Sequence, residues 1–228
     1  MEIVSLDGII LDPDLTAEKL RVFDRELLNR LIGRAGTMIA ASAGYRAVRV
    51  QEKLRDGVVI DGAVFTSRVL RHNLERAGCV FPFVLTIGGS LDEIIENEKG
   101  MIEKYLFSEI GNIALDQARR LFENHIKSTF SLENVSCVVP GSLEDWPVEQ
   151  QKYLFSLLPG LYEGIGVILT GSSLMLPLKS ISGIYFQSES AFYSCQLCPR
   201  GHCEGRKAGY DEEMRVKYGI SGCPADHV

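Results

Sequence analysis

Four cysteines crowd the last part of the chain, and their spacing is the first sign of chemistry. Cys195-Gln196-Leu197-Cys198-Pro199-Arg200-Gly201-His202-Cys203 is followed by Cys223 in Gly222-Cys223-Pro224. Two residues between Cys195 and Cys198 let both thiolates grip one ion from a single turn. Pro199 and Gly201 keep that loop tight. Together Cys195, Cys198, Cys203 and Cys223 offer the four thiolates that hold zinc tetrahedrally or carry an iron–sulfur cluster. His202 and His227 are the available substitutes. The intervals match neither the compact ferredoxin run nor the two close pairs of a zinc ribbon, so both metals stay open. Free reduced thiols, or a redox pair between Cys195 and Cys198, are the bland alternatives. Arg206 and Lys207 follow as a small basic patch that could offset thiolate charge or meet an acidic partner.

Other chemistries leave no trace. There is no Gly-Lys-Ser/Thr phosphate loop and no Gly-x-Gly-x-x-Gly turn after a strand. Gly171-Ser172-Ser173 lacks the nucleophile-elbow pattern. His72, His125, His202 and His227 form no His-x-x-x-His pair, which sets aside a helix-borne zinc hydrolase. A net charge of -6 with pI near 5.3 argues against a nucleic-acid partner, because a phosphate-binding face needs clustered Lys and Arg. The most apolar stretch, Cys79 to Gly88, contains Pro82 and falls well short of the roughly 20 residues that span a bilayer. Met1-Glu2-Ile3-Val4 has no basic stretch leading into an apolar run, so the expectation is a cytoplasmic protein with reduced thiols.

The elements that must position these residues follow from periodicity. Ile3 to Leu6 and Ile9 to Leu11 read as a hairpin around Asp7-Gly8. Thr16 is expected to cap a helix running through Leu20, Phe23, Leu27 and Leu31, with more helix from Arg34 to Arg55 broken near Gly44. Thr66 or Ser67 caps a helix to Ala77. Val80 to Ile87 reads as a buried strand, and Ser90 with Glu93 as a capping box. Met101 to Phe130 is the longest pattern, a helix carrying Leu106, Ile110, Ala114, Leu121 and Ile126 at helical spacing. Val135 to Val139 is a strand ending at Pro140-Gly141. Gln150 to Leu158 is helical, Ile165 to Thr170 and Ser180 to Phe186 are strands, and Asp211 to Tyr218 is a last helix. Helices and strands alternate without a regular βαβ beat, which predicts an α+β fold with an antiparallel sheet.

Four ordered motifs carry a family resemblance. Pro140-Gly141 precedes a polar helix start containing Pro147. Then come Lys152-Tyr153-Leu154-Phe155-Ser156-Leu157-Leu158 and Ile165-Gly166-Val167-Ile168-Leu169-Thr170. Last are Ser173-Leu174-Met175-Leu176-Pro177 with Ser180-Ile181-Ser182-Gly183-Ile184-Tyr185-Phe186. In that order the set resembles the activation domain of cobalamin-dependent methionine synthase, and most closely its short, free-standing relatives. The resemblance implies a curved antiparallel sheet packed with helices around the long central helix. It also implies a division into an N-terminal region over 1–100, an activation-domain-like core over 101–194 and a Cys-rich tail over 195–228.

That family binds S-adenosylmethionine and supports reductive remethylation of oxidised cobalamin. Its ligand motif, an Arg, three residues, then Gly-Tyr, falls on Cys137 to Ser142. Gly141 matches; Cys137 stands in place of the Arg and Ser142 in place of the Tyr. A guanidinium suits forked recognition of a carboxylate, and a neutral thiol does not. A later family tyrosine falls on Phe192. The resemblance therefore implies ligand contacts from Val139, Gly141, Ser142, Tyr185 and Phe192. Read as residues alone, Pro140-Gly141 is a turn, Tyr185, Phe186 and Tyr193 are packing aromatics, and Glu123 is a solvated helix residue. The expected function is an accessory in reductive reactivation or methylation of a corrinoid protein. It would bind S-adenosylmethionine, meet a corrinoid-carrying protein or methyltransferase and an electron donor, and relay an electron through the Cys-bound centre. The alternative is a non-catalytic corrinoid or small-ligand binding module with a structural zinc tail.

Overall fold

The computed structural model describes residues 1–203 and 205–220. In chain order the elements are β1 (Glu2–Ser5), α1 (Pro13–Leu20), α2 (Arg25–Gly36), β2 (Ser42–Tyr45), β3 (Val48–Leu54), β4 (Gly57–Ile60), β5 (Ala63–Thr66) and α3 (Arg68–Asn73). They continue with β6 (Cys79–Thr86), α4 (Ser90–Asn97), α5 (Met101–Phe130), β7 (Val135–Val138), α6 (Gln151–Ser156) and α7 (Leu161–Ile165). The last are β8 (Ile168–Leu169), β9 (Met175–Leu176), β10 (Ser180–Gln187) and α8 (Glu212–Lys217). This is the expected α+β class, with antiparallel strand pairs and the long helix. No helix among the described residues is long and apolar enough to cross a membrane.

Contacts divide the chain into two compact units, each assembled from three stretches. The first comprises Met1–Tyr45, Val84–Thr129 and Gly160–Ile181. Here β1 pairs with β2, Glu2 opposite Tyr45, rather than folding back on Ile9 to Leu11. Gly8 takes φ +95 and turns the chain away. The Gln117 side-chain amide then holds Ile10 at both backbone groups, 2.9 and 2.7 Å. The single helix expected from Thr16 is two. Asp12 caps α1 by accepting from Asp14 and Leu15 N–H, and Thr16 is buried inside the helix. Arg21 ends that helix at φ 54, and Asp24 caps α2. The expected Ser90 capping box does not form: Gly89 precedes α4 with no side-chain cap.

In α5 the predicted stripe is buried at Leu106, Ile110, Ala114 and Ile126. Phe107, Gly111, Ala118 and Phe122 widen it, whereas Ile102 is exposed. Gly111 lets a neighbour approach closely, since a Cβ there would meet Leu91 at 2.8 Å. The strand expected over Ile165 to Thr170 shrinks to β8 paired with β9, because Gly166 (φ +69) closes α7 just before it.

The second unit comprises Arg46–Phe83, Phe130–Pro159 and the chain from Ser182. Helix was expected up to Arg55, and the structure instead carries the β3–β4–β5 meander. Period-two alternation across Val48, Arg49 and Val50 suits a half-buried strand, not a helix. Asp61 (φ 46) and Gly62 (φ 83) form the tight turn between β4 and β5, the Asp-Gly pair that such hairpins prefer. β3 pairs with β6, Val48 opposite Val80, and β10 pairs with β7, Ile184 opposite Val138. Ser67 caps α3 as expected, with Asp145 adding acceptors for the Ser67 hydroxyl and Val69 N–H. The core of this unit includes Phe65, Phe83, Tyr185 and Phe186, and the chain's one tryptophan, Trp146, lies edge-on to the Phe65 ring at 6.1 Å.

Candidate functional site

β7 ends at Val138 and delivers the chain into the turn that the resemblance singled out. Gly141 adopts φ +77, a left-handed conformation that costs a residue without Cβ nothing. Its N–H donates to the Trp146 carbonyl at 2.8 Å. A Cβ at 141 would meet Val148 Cβ at 3.1 Å, so the turn also needs the missing side chain. Ser142 donates its hydroxyl to the Val139 carbonyl at 2.7 Å and approaches the Ser194 hydroxyl at 3.4 Å. Gly141 and Ser142 are exposed and Val139 is half-buried.

The aromatics behave differently. Phe192 is buried, with its N–H donated to Ser136 Oγ at 2.9 Å. Its ring stacks on Tyr218 of α8 with centroids 5.8 Å apart and planes 10° apart. Tyr218 in turn lies 4.8 Å from the His72 ring and donates to Asn73 Oδ1. Burial raises the Tyr218 pKa. It also lowers that of His72, where the Arg71 and Lys217 charges push the same way and Asp145 opposes. Tyr185 is fully buried, its ring 4.9 Å from Phe83, while Tyr193 is exposed. Glu123 belongs to the first unit and pairs with Arg119 and Lys127 along α5.

The Cys195 loop is drawn together by one side chain. Arg206 donates to the carbonyls of Cys195 (3.0 Å), Cys198 (3.3 Å), Ala208 (3.3 Å) and Arg200. Cys198 N–H closes a turn on the Cys195 carbonyl, and Lys207 N–H points at Cys195 Sγ from 3.4 Å. Cys195, Cys198 and Cys203 form no disulfide among the described residues. Among the described residues no three of the His, Cys, Asp and Glu side chains come together to hold a metal ion. The fourth predicted ligand, Cys223, and the substitute His227 lie outside the described residues.

Two features escaped the sequence reading. One is an open cleft of about 700 Å³ in the first unit, between the Ser5–Leu11 segment and α2. Gly33 and Gly36 on α2 leave it unfilled, and two glycines inside a helix were its available signal. The other is Arg215 of α8, a buried arginine that the sequence reading did not single out.

These strands and helices make the α+β fold of a methionine synthase reactivation domain, an antiparallel sheet with helices that include the 30-residue α5. A solved structure that shares it is the MetH reactivation domain bound to AdoHcy. It is 14% identical with a TM-score of 0.53, and the match covers 84% of this chain and 80% of that one. At that identity the likeness is one of fold. No family model and no curated protein matches the chain.

Proposed function

We propose that this protein is a cytoplasmic accessory for reactivating a corrinoid protein, and that it binds an S-adenosyl ligand beside the Gly141 turn. One observation carries the reading: the fold is shared with a reactivation domain whose structure holds AdoHcy. The exposed Gly141–Ser142 backbone, tied to Ser194 and close in sequence to Phe192, supports the position. Val139, Gly141 and Ser142 would present backbone and hydroxyl groups, and Phe192 and Tyr185 would be the aromatic residues of the site. The core over 101–194 would meet a corrinoid-carrying protein or methyltransferase, which presents the corrinoid. The tail over 195–228 would hold an iron–sulfur cluster or zinc on Cys195, Cys198, Cys203 and Cys223. A bound cluster would supply single electrons taken from a donor protein, whereas zinc would only tie the tail.

Titration calorimetry of the full chain with S-adenosylhomocysteine and with cobalamin tests the reading. Heat with S-adenosylhomocysteine supports it, and silence with both compounds removes it. Cys137 and Ser142, in place of the family's Arg and Tyr, favour a second reading, a non-catalytic corrinoid-binding module with a zinc tail. Heat with cobalamin alone would select that one. Metal and sulfide analysis of protein prepared without oxygen separates cluster, zinc and free thiols.

A further inference from the structure

β5 closes the β3–β4–β5 meander and pairs only with β4. In an antiparallel pair, alternate residues turn their backbone groups toward the neighbour and away from it. The Gln150 side chain, just ahead of α6, shows which residues of β5 turn away. Its carbonyl oxygen accepts from Thr66 N–H at 2.9 Å, and its amide nitrogen donates to the Thr66 carbonyl at 2.8 Å. Those are the two bonds that a residue of a further strand would make, and here one carboxamide stands in for it. Val64, two residues earlier in the same unbroken register, presents its N–H and C=O to the same side. Neither group finds a partner among the described residues. Sheet edges are usually blunted by charge, proline or cover. Ala63-Val64-Phe65-Thr66 has no charge and no proline, and Gln150 covers Thr66 alone.

A groove of about 680 Å³ runs beside this edge, bounded on the α6 side by Tyr153, Ser156 and Leu157. Val64 is 49% exposed and Tyr153 39%, so apolar surface stands open on both sides of it. Asp61, at the hairpin end, is neutralised by Arg46 at 2.8 Å. Lys152, its ammonium 5.0 Å from the Tyr153 ring centre, makes no ion pair among the described residues. The unpaired backbone groups call for an amide, the apolar sides for a side chain at alternate positions, and Lys152 for an acid. We propose that the β5–α6 groove binds an extended, acidic-apolar segment of a partner protein, which adds to β5 as a further strand opposite Val64. The S-adenosyl reading is not involved, and its failure would leave this inference standing.

The test selects a phage-displayed library of random octapeptides on the full chain and measures the enriched peptides by fluorescence anisotropy. They should alternate apolar and polar residues and carry Asp or Glu, and Lys152→Gln should weaken them. Val64→Pro removes the outward N–H and leaves the β4 pairing intact, because the lost donor faces away from β4. It should weaken binding by about tenfold. Backbone N-methylation of the peptide gives a readout that needs no variant to fold. One peptide position should be sensitive on wild type, and a second, two residues along, on Gln150→Ala, where the Thr66 groups are released. No enrichment, or binding that ignores both Val64→Pro and N-methylation, overturns the inference. So does a concentration-dependent dimer in sedimentation that Val64→Pro dissolves, which would make the occupant a second copy of this chain.

Discussion

Gly183→Ala and Gly33→Ala make the same chemical change and should have opposite effects. Gly183 lies in β10 next to Ile184, which pairs with Val138. A Cβ at 183 would stand 2.6 Å from the Val138 carbonyl oxygen and 3.0 Å from a Phe83 ring carbon. Neither atom is the free end of a flexible side chain, and Phe83 is fully buried. Relief requires β10 to move off β7 or the Phe83 ring to rotate out of its packing. Overpacking of this kind costs about 1–3 kcal/mol. The entropy saved by replacing glycine returns only about 0.5–1 kcal/mol. A net loss of about 1–2 kcal/mol is expected, roughly a tenfold shift toward the unfolded state. Gly33 in α2 has nothing within 4 Å of its missing Cβ, so Ala there should gain about 0.5–1 kcal/mol. Urea unfolding reads both. Trp146, buried in the same unit as Gly183, reports that unit by fluorescence, and far-UV circular dichroism reports the helices. A neutral or stabilising Gly183→Ala would refute the β7–β10 register and the packing of Phe83 described above.

Three further outcomes follow from the same structure. The Tyr45 hydroxyl bridges Glu2 (2.8 Å) and His125 (3.0 Å), and burial followed by the Glu2 carboxylate pushes its pKa up to about 12. The folded state therefore holds this proton longer than the unfolded chain. Stability should be fully present below the ordinary value of 10.0 and fall as pH rises toward 12, and Tyr45→Phe should flatten that limb in pH-dependent urea melts. His72 is shifted the other way, so the unfolded chain takes up its proton first on acidification. Stability should decline as pH falls below about 6.5, and His72→Gln should weaken that slope. Phe192→Ala should weaken S-adenosylhomocysteine binding by about tenfold if its ring walls the ligand, as calorimetry would show.

The α+β class, α5, β6, β10 and the Ser67 cap were legible because each is written in local periodicity or a single capping residue. The β3–β4–β5 meander was missed although its Asp61-Gly62 turn is a strong hairpin signal, because Arg34 to Arg55 was read as one helical stretch broken near Gly44. The pairing of β1 with β2 was illegible, since Glu2 and Tyr45 meet over a separation that only tertiary packing decides. Gly141 was named from the family resemblance, and its φ of +77 is a conformation that selects glycine. Phe192 could be named from its resemblance, but not its burial under Tyr218. The burial of Arg215 left no mark in the sequence, where Glu212, Glu213 and Lys217 surround it.

Amide chemical-shift mapping of the full chain with S-adenosylhomocysteine tests the central claim most directly. The Val139, Gly141, Ser142 and Phe192 resonances should move in a saturable way. Saturable shifts confined to the Gly8–Leu11 cleft, or none at all, would contradict it.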